Sequence, residues 1–275
     1  AGSLFVQETP TSLSKYFSHK KRKSPTNDEI INFRICPSVA GTKAEDEQTL
    51  EQKKGMRCVM AKMILIDGNS LANRAFYAVP QLTNKAGFVT NAIYGFCNML
   101  TKVLKEEKPE YLMVAFDAGK IVFRHEMYEG YKGSRKSTPD ELRAQFPVLK
   151  EVLAAMGVPI AEAPGFEADD LIGTLADMGS REGVDVLIIT GDRDSFQLID
   201  PHVTVLFTRK GISELERFDE AHLKEVYQLA PWQIVELKGL MGDSSDDIPG
   251  VPGIGEKTAI KLLLEHESVE GVLAN

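Results

Sequence analysis

Carboxylates gathered at strand ends or in the first turn of a helix can hold divalent cations, and this chain places several in such positions. Asp67 closes the run "KMILI" (62–66), Asp117 closes "YLMVAF" (111–116), and Asp192 and Asp194 follow "VDVLIIT" (184–190). An Asp after a strand commonly caps the next helix, so any one of these alone reads as a cap. Glu167, Asp169 and Asp170 add three acids at the head of "FEADDLIGTLAD" (166–177). Each acid in a first turn gains about 0.3–1 kcal/mol from the helix dipole, which one or two would satisfy. Three within four residues repel one another unless something cationic lies between them. Asp243, Asp246 and Asp247 occupy a glycine-bounded turn in "GLMGDSSDDIPG" (239–250). An all-oxygen donor set points to Mg²⁺ or Mn²⁺, two or more ions for so many acids. Two ions sharing a phosphate stabilise both the attacking water and the leaving oxygen in phosphodiester hydrolysis.

The elements that must bring these acids together follow from the apolar pattern. Short apolar runs at 62–66, 111–116, 158–160 and 184–190 read as buried strands, and 202–218 as strand, turn and strand. Helices are expected over about 91–106, 140–156 and 167–179. The alternation predicts an α/β fold, a parallel sheet with helices on both faces. Ligands in such sheets bind beyond the carboxyl ends of the strands, where Asp67, Asp117, Asp192 and Asp194 fall. In the helix from 167, Ala168, Leu171, Ile172, Leu175 and Ala176 form the packing side. Its opening "FEADD" is a poor match for a capping device and suits one wall of a metal site. Beyond about 219 the strands stop, which predicts a small helical subdomain.

Two segments suit nucleic acid. Residues 120–136 interleave Lys120, Arg124, Lys132, Arg135 and Lys136 with Phe123, Tyr128 and Tyr131, a pattern that suits single strands, with an arch expected over about 120–140. "PGVPGIGEKTAIKLL" (249–263) imitates a P-loop, but Glu256 separates Gly255 from Lys257-Thr258 and no apolar strand precedes it. A helix-hairpin-helix fits better, with helices over 231–241 and 256–265. Its glycines, Gly253 and Gly255 among them, let backbone amides reach phosphates, with Lys257 adding positive potential. Arg74 and Tyr77 lie near a metal-bearing strand end, where Arg74 could hold the scissile phosphate or pair with an acid.

Composition narrows the class. The chain has 275 residues and a net charge of −8. Residues 1–60 hold 10 Lys/Arg against 7 Asp/Glu, net +3, and the remainder 22 against 33, net −11. An acidic domain still binds nucleic acid if its acids surround cations and its bases line a separate track. Three scattered cysteines and five scattered histidines argue against a disulfide framework and against zinc. No apolar run approaches the roughly 20 residues of a membrane span, so a cytoplasmic protein is expected. Residues 1–60 read as a disordered tail, with a basic run at 19–23 and "SLSKYF" (12–17), which resembles a sliding-clamp-binding box without its glutamine.

Taken together, "ILIDGNSLANRAFYA", "VAFDAGKIVFRHEMYEGYKGSRKSTPDEL", "FEADDLIGTLA", "ITGDRDSFQL" and "LKGLMGDSSDDIPGVPGIGEKTAIKLL" resemble the 5′-nuclease domains of bacterial DNA polymerase I, within the flap endonuclease superfamily. The match runs from about 62 to 275. The resemblance implies a PIN-like nuclease core at 61–218 with a helix-hairpin-helix DNA-binding subdomain at 219–275. It implies a Mg²⁺-dependent 5′→3′ exonuclease and 5′-flap endonuclease that removes flaps and RNA primers. The family's metal-binding acids map to Asp67, Asp117, Glu167, Asp169, Asp170, Asp192, Asp194, Asp243 and Asp246. Asp247 stands where the family usually has Asn. The candidate catalytic cations are Arg74, Arg124 and Lys132. Candidate DNA contacts are Tyr77, Tyr131, Arg135, Gly253, Gly255, Lys257 and Thr258, with K⁺ binding at the hairpin. The expected partner is DNA with a 5′ flap, nick or RNA primer. The chain is expected to be a bacterial, nucleoid-associated monomer, with a polymerase domain in a longer chain as a further expectation. A non-catalytic DNA-junction binder on the same fold is the alternative, and a phosphoryl-accepting receiver-like domain leaves the arch and hairpin unexplained.

Overall fold

The computed structural model describes residues 61–119, 121–211 and 214–275. The expectations for residues 1–60 and for Lys120 lie outside the described residues.

A six-stranded sheet forms the centre, in the order β3-β2-β1-β4-β5-β6. Its strands are β1 (Lys62–Asp67), β2 (Tyr111–Ala115), β3 (Ile160–Ala161), β4 (Asp185–Thr190), β5 (Val203–Lys210) and β6 (Glu214–Phe218). The first five in that order run parallel, as the apolar runs predict. β6 pairs antiparallel with β5, a departure from an all-parallel sheet, because the turn after Lys210 is too short for a crossover.

Side chains alternate across the pleat, so each central strand feeds two cores. Leu65, Met113, Val186 and Ile188 pack beneath α5 (Ala168–Arg181), where they meet Leu171, Ile172 and Leu175. Ile64, Ile66, Val114, Leu187 and Ile189 face the other way. There they meet Leu71 of α1 (Gly68–Ala78), Phe96 and Leu100 of α2 (Asn91–Glu107), and Leu149 and Leu153 of α4 (Asp140–Ala155). Each fully buried Leu or Ile contributes about 1.5–3 kcal/mol, so the sheet is anchored from both sides and its strand ends are rigid.

The connecting segments hold short elements of their own. The segment after Asp117, where the arch is expected, contains a short helix, α3 (Phe123–Met127). Beyond 219 the chain is helical, with α6 (Glu220–Tyr227), α7 (Gln233–Met241), α8 (Glu256–His266) and α9 (Val269–Ala274), yet a two-residue antiparallel pair intervenes. It joins β7 (Gly242–Asp243) to β8 (Ile248–Pro249). Gly242 opens it at φ 76° and ψ −174°, a region essentially reserved for glycine, and a Cβ there would run into the Gly250 backbone. Leu223 and Ile234 join the core beneath α5, and Leu229, Leu237, Leu240, Ala259 and Leu263 form a separate small core.

Candidate metal and nucleic-acid site

The strand order reverses direction between β1 and β4, and the acids collect at the carboxyl ends beside that point. Asp67 ends β1 and caps α1: its Oδ1 accepts from the Ser70 amide at 2.9 Å, and its Oδ2 from Thr190 Oγ1 at 2.9 Å. Both donors are neutral and the group is buried. Burial, with Asp192 and Asp117 nearby, pushes its carboxyl up to about 7. Asp117 accepts from Asn69 Nδ2 at 2.9 Å and from the Ala168 amide at 2.8 Å, and it too is raised by burial. Asn69 reciprocates by accepting from the Asp117 amide at 3.2 Å. The motif "DGNS" reads as a helix start, so this orienting role of Asn69 has no signature of its own in the sequence.

The head of α5 supplies the next acids. Asp170 accepts from the Glu167 amide at 2.9 Å, half of a capping box, so "FEADD" caps its helix after all. Asp170 also receives both guanidinium nitrogens of Arg124, at 2.8 and 2.5 Å. Glu167 is bonded by Arg124 at 3.2 Å, the Tyr131 hydroxyl at 2.7 Å and Lys132 Nζ at 2.5 Å. Burial alone would raise the Glu167 carboxyl, but Lys132, Arg124 and Tyr131 together hold it below its ordinary value.

These contacts revise the expected roles of the arch residues. Arg124 and Tyr131 are each 2% exposed, the first clamped on two acids and the second donating to one. A ring so enclosed has no face left for a base, because Val122, Ile248 and His125 pack around it. Lys132 bridges Glu167 and, at 3.8 Å, Asp246. Arg135 is exposed, and its charge lowers Asp117. Arg74 is half-buried; it donates to the Gly191 and Arg209 carbonyls at 3.2 and 3.3 Å and lies over Phe207. Tyr77 is 71% exposed, edge-on to Phe76.

Two of the remaining acids lie at Lys238 of α7, which the sequence does not single out. Lys238 Nζ reaches Asp194 Oδ1 at 2.9 Å and Asp243 Oδ2 at 2.8 Å. Burial would raise Asp243, but Lys238 and Ser245 hold it below its ordinary value. Asp192 caps the 3₁₀ turn Arg193–Leu198 by accepting from the Asp194 amide at 2.9 Å. Asp169 lies in the first turn of α5 with Asp170. Gly253, at φ 83°, and Gly255 lead into α8, whose Lys257 and Thr258 are exposed.

The donor set is carboxylate only, which fits hard divalent cations. Among the described residues no three His, Cys, Asp or Glu side chains are gathered closely enough to hold an ion as they stand. Arg124, Lys132 and Lys238 lie between the acids instead. Asp67 and Asp117 are bonded by neutral donors and both are raised by burial, Asp117 against the opposing charges of Lys132 and Arg135.

Comparison with known proteins identifies the family. A family model described as 5′-3′ exonuclease, N-terminal resolvase-like domain, matches residues 62–228, and one described as 5′-3′ exonuclease, C-terminal SAM fold, matches 229–275. The chain belongs to the 5′-3′ exonuclease family. DNA polymerase I of Bacillus caldotenax is 56% identical over 214 residues, 78% of this chain and 24% of that protein. DNA polymerase I of Bacillus subtilis (strain 168) is 53% identical over 212 residues, 77% of this chain and 24% of that protein. The chain spans about a quarter of the length of these curated relatives. Among solved structures, the bacteriophage T5 flap endonuclease in a pseudo-enzyme–product complex with DNA and metal ions aligns at TM-score 0.64 and 23% identity, over 78% of each chain. The T5 5′-exonuclease with divalent zinc bound aligns at TM-score 0.64 and 24% identity, again over 78% of each chain. At that identity the likeness concerns the fold, which is PIN-like. Among the described residues of this exonuclease-family chain, no helix is long and apolar enough to cross a membrane.

Proposed function

We propose that the chain is a structure-specific nuclease that hydrolyses phosphodiesters at 5′ ends and 5′ flaps of duplex DNA, with Mg²⁺ or Mn²⁺ as cofactor. One observation carries this reading: acids stand beyond the carboxyl ends of β1, β2 and β4, with Asp67 buried and raised to about 7 by that burial and by Asp192 and Asp117 nearby. Structural need alone does not account for so costly an arrangement, and perturbed carboxyls in a cleft mark functional sites. Asp67, Asp117, Glu167, Asp169, Asp170 and Asp192 would hold metal at the strand ends, and Asp194, Asp243 and Asp246 beside them. When bound, two divalent ions supply Lewis-acid activation of the nucleophile and stabilisation of the leaving oxygen.

The chain's own residues position the DNA. Arg135, exposed beside Asp117, binds the phosphate near the scissile bond, with Lys132 behind it. Tyr77 offers an exposed ring for stacking on a terminal base. The amides after Gly253 and Gly255, with Lys257 and Thr258, hold downstream backbone without reading sequence, and K⁺ binding at the hairpin assists them. Arg124 and Tyr131 touch no DNA; they fix Asp170 and Glu167. Residues 61–218 form the nuclease core, with its arch at about 120–140, and 219–275 the DNA-holding subdomain. We place this activity in a longer chain that carries a polymerase, with flap and RNA-primer removal as its task.

The pairing of Glu167, Asp170, Asp194 and Asp243 with Lys and Arg favours one competing reading, a DNA-junction binder without catalysis. A 5′-flap duplex incubated with Mg²⁺ separates the two. Wild type cleaves, while Asp67→Asn loses at least about a hundredfold in rate, the several kcal/mol a metal supplies, with flap binding retained. Binding in EDTA with no cleavage in Mg²⁺ would establish the binder instead.

A further inference from the structure

Residues 132–134 and 246–247, more than 110 positions apart in sequence, are joined by three hydrogen bonds. The Ser134 amide donates to Asp247 Oδ2 at 2.8 Å and the Ser134 hydroxyl to Asp247 Oδ1 at 2.5 Å. The Lys132 amide donates to the Asp246 carbonyl at 3.0 Å. Both sides of the contact use unusual backbone, with Lys132 at φ 54° and Asp247 at φ 57°. That left-handed region disfavours residues with a Cβ, and Asp and Asn enter it more readily than most. Lys132, which has no such tolerance, is held there from both ends. The contact borders the buried cluster of Val122, Tyr131 and Ile248. From this turn the Lys132 ammonium reaches Glu167, and Arg135 follows through a hydrogen bond from its amide to the Lys132 carbonyl at 3.2 Å.

We propose that Asp247 is a positioning residue: with Ser134 it forms a clasp that fixes the arch to the C-terminal turn and aims Lys132 and Arg135 at the acids. Both carboxylate oxygens of Asp247 are engaged by Ser134, so the residue works through the arch and not on the reacting phosphate. The clasp links Lys132 and Arg135, two cations of the arch, to the subdomain proposed to hold duplex. Its role in catalysis rests on the nuclease reading above; its existence as a mechanical link does not.

The test uses Asp247→Gly, which suits φ 57° and so removes the clasp without backbone strain. Ser134→Ala removes one bond from the other side, and Asp247→Asn is the rescue. An Asn carbonyl accepts from the Ser134 amide while its NH₂ donates to the hydroxyl oxygen. Amide hydrogen exchange over 130–136, in metal-free protein without DNA, is expected to quicken at Ser134 in Asp247→Gly and to stay protected in Asp247→Asn. Single-turnover cleavage of a 5′-flap duplex is expected to slow about tenfold in Asp247→Gly, as a misaimed charge implies, with DNA affinity changed less than about twofold. Asp247→Asn is expected to restore the rate. Unchanged protection in Asp247→Gly overturns the clasp; lost protection with a wild-type rate overturns its positioning role. Should Asp247→Gly fail to fold, Asp247→Ala, which also removes both acceptor oxygens, decides both points by the same two readouts. A wild-type protein that cleaves no 5′ end overturns the nuclease reading and the positioning role together, while the exchange data still decide whether the clasp exists.

Discussion

Asp67 sits between the Ser70 amide and the Thr190 hydroxyl, with Asp117 and Asp192 adding negative charge around it. A folded-state value of about 7 against an ordinary carboxylate value near 4 means the folded protein binds the extra proton between those pH values. Stability then falls as pH rises through that window, since the unfolded chain binds fewer protons there. In EDTA, the wild-type Tm is expected to drop from pH 5 to pH 8 more steeply than that of Asp67→Asn. At pH 8 the variant should be the more stable of the two, although it is the less active. Thermal melts at matched ionic strength read the difference, and parallel slopes would remove Asp67 as its source. The carboxylates themselves were legible from residue type and position at strand ends. Their counter-charges were not. Arg124 lies 46 residues from Asp170, and Lys238 lies 44 from Asp194, with no local pattern to announce either pairing.

Among the elements, the parallel strands and the packing helices were legible because two-sided burial writes continuous apolar runs and helical burial writes a 3.6 period. The short pieces carry neither mark. α3 has five residues, and β7 and β8 have two each, below the length at which any period can be counted. Their positions are fixed by tertiary contact: Arg124 anchors α3 to the acids, and Gly242 and Gly250 let two backbones touch. Gly242→Ala is therefore expected to cost about 1–3 kcal/mol, since it combines a glycine-only backbone with a clash. Gly87 also has a positive φ, 80°, but open space around its Cβ position. Gly87→Ala should cost only the backbone penalty, about 1 kcal/mol. Urea denaturation of both variants isolates the clash as the difference, and equal losses would mean that the β7–β8 contact is not tight.

Across the whole molecule, the core and the C-terminal region were each legible from the sequence, but the way they share charge was not. Lys238 stitches α7 to the 3₁₀ turn through Asp194 and to β7 through Asp243, so one ammonium ties two acids of separate segments. Removing one partner from a buried ion pair leaves an uncompensated charge, typically at 3–5 kcal/mol. Lys238 is 19% exposed, so the loss in Lys238→Met should be smaller, about 1–3 kcal/mol in metal-free protein. The same variant removes the ammonium that Asp194 and Asp243 share, while the charge of Asp194 still acts on Asp243. A divalent ion bound there would then relieve more repulsion than in wild type, and ligand binding stabilises in proportion to its affinity for the folded state. Added Mg²⁺ should thus raise the Tm of Lys238→Met by more than it raises that of wild type. An equal rise in both proteins would mean that Lys238 and the metal do not compete for these carboxylates, and that the second group of acids serves structure alone.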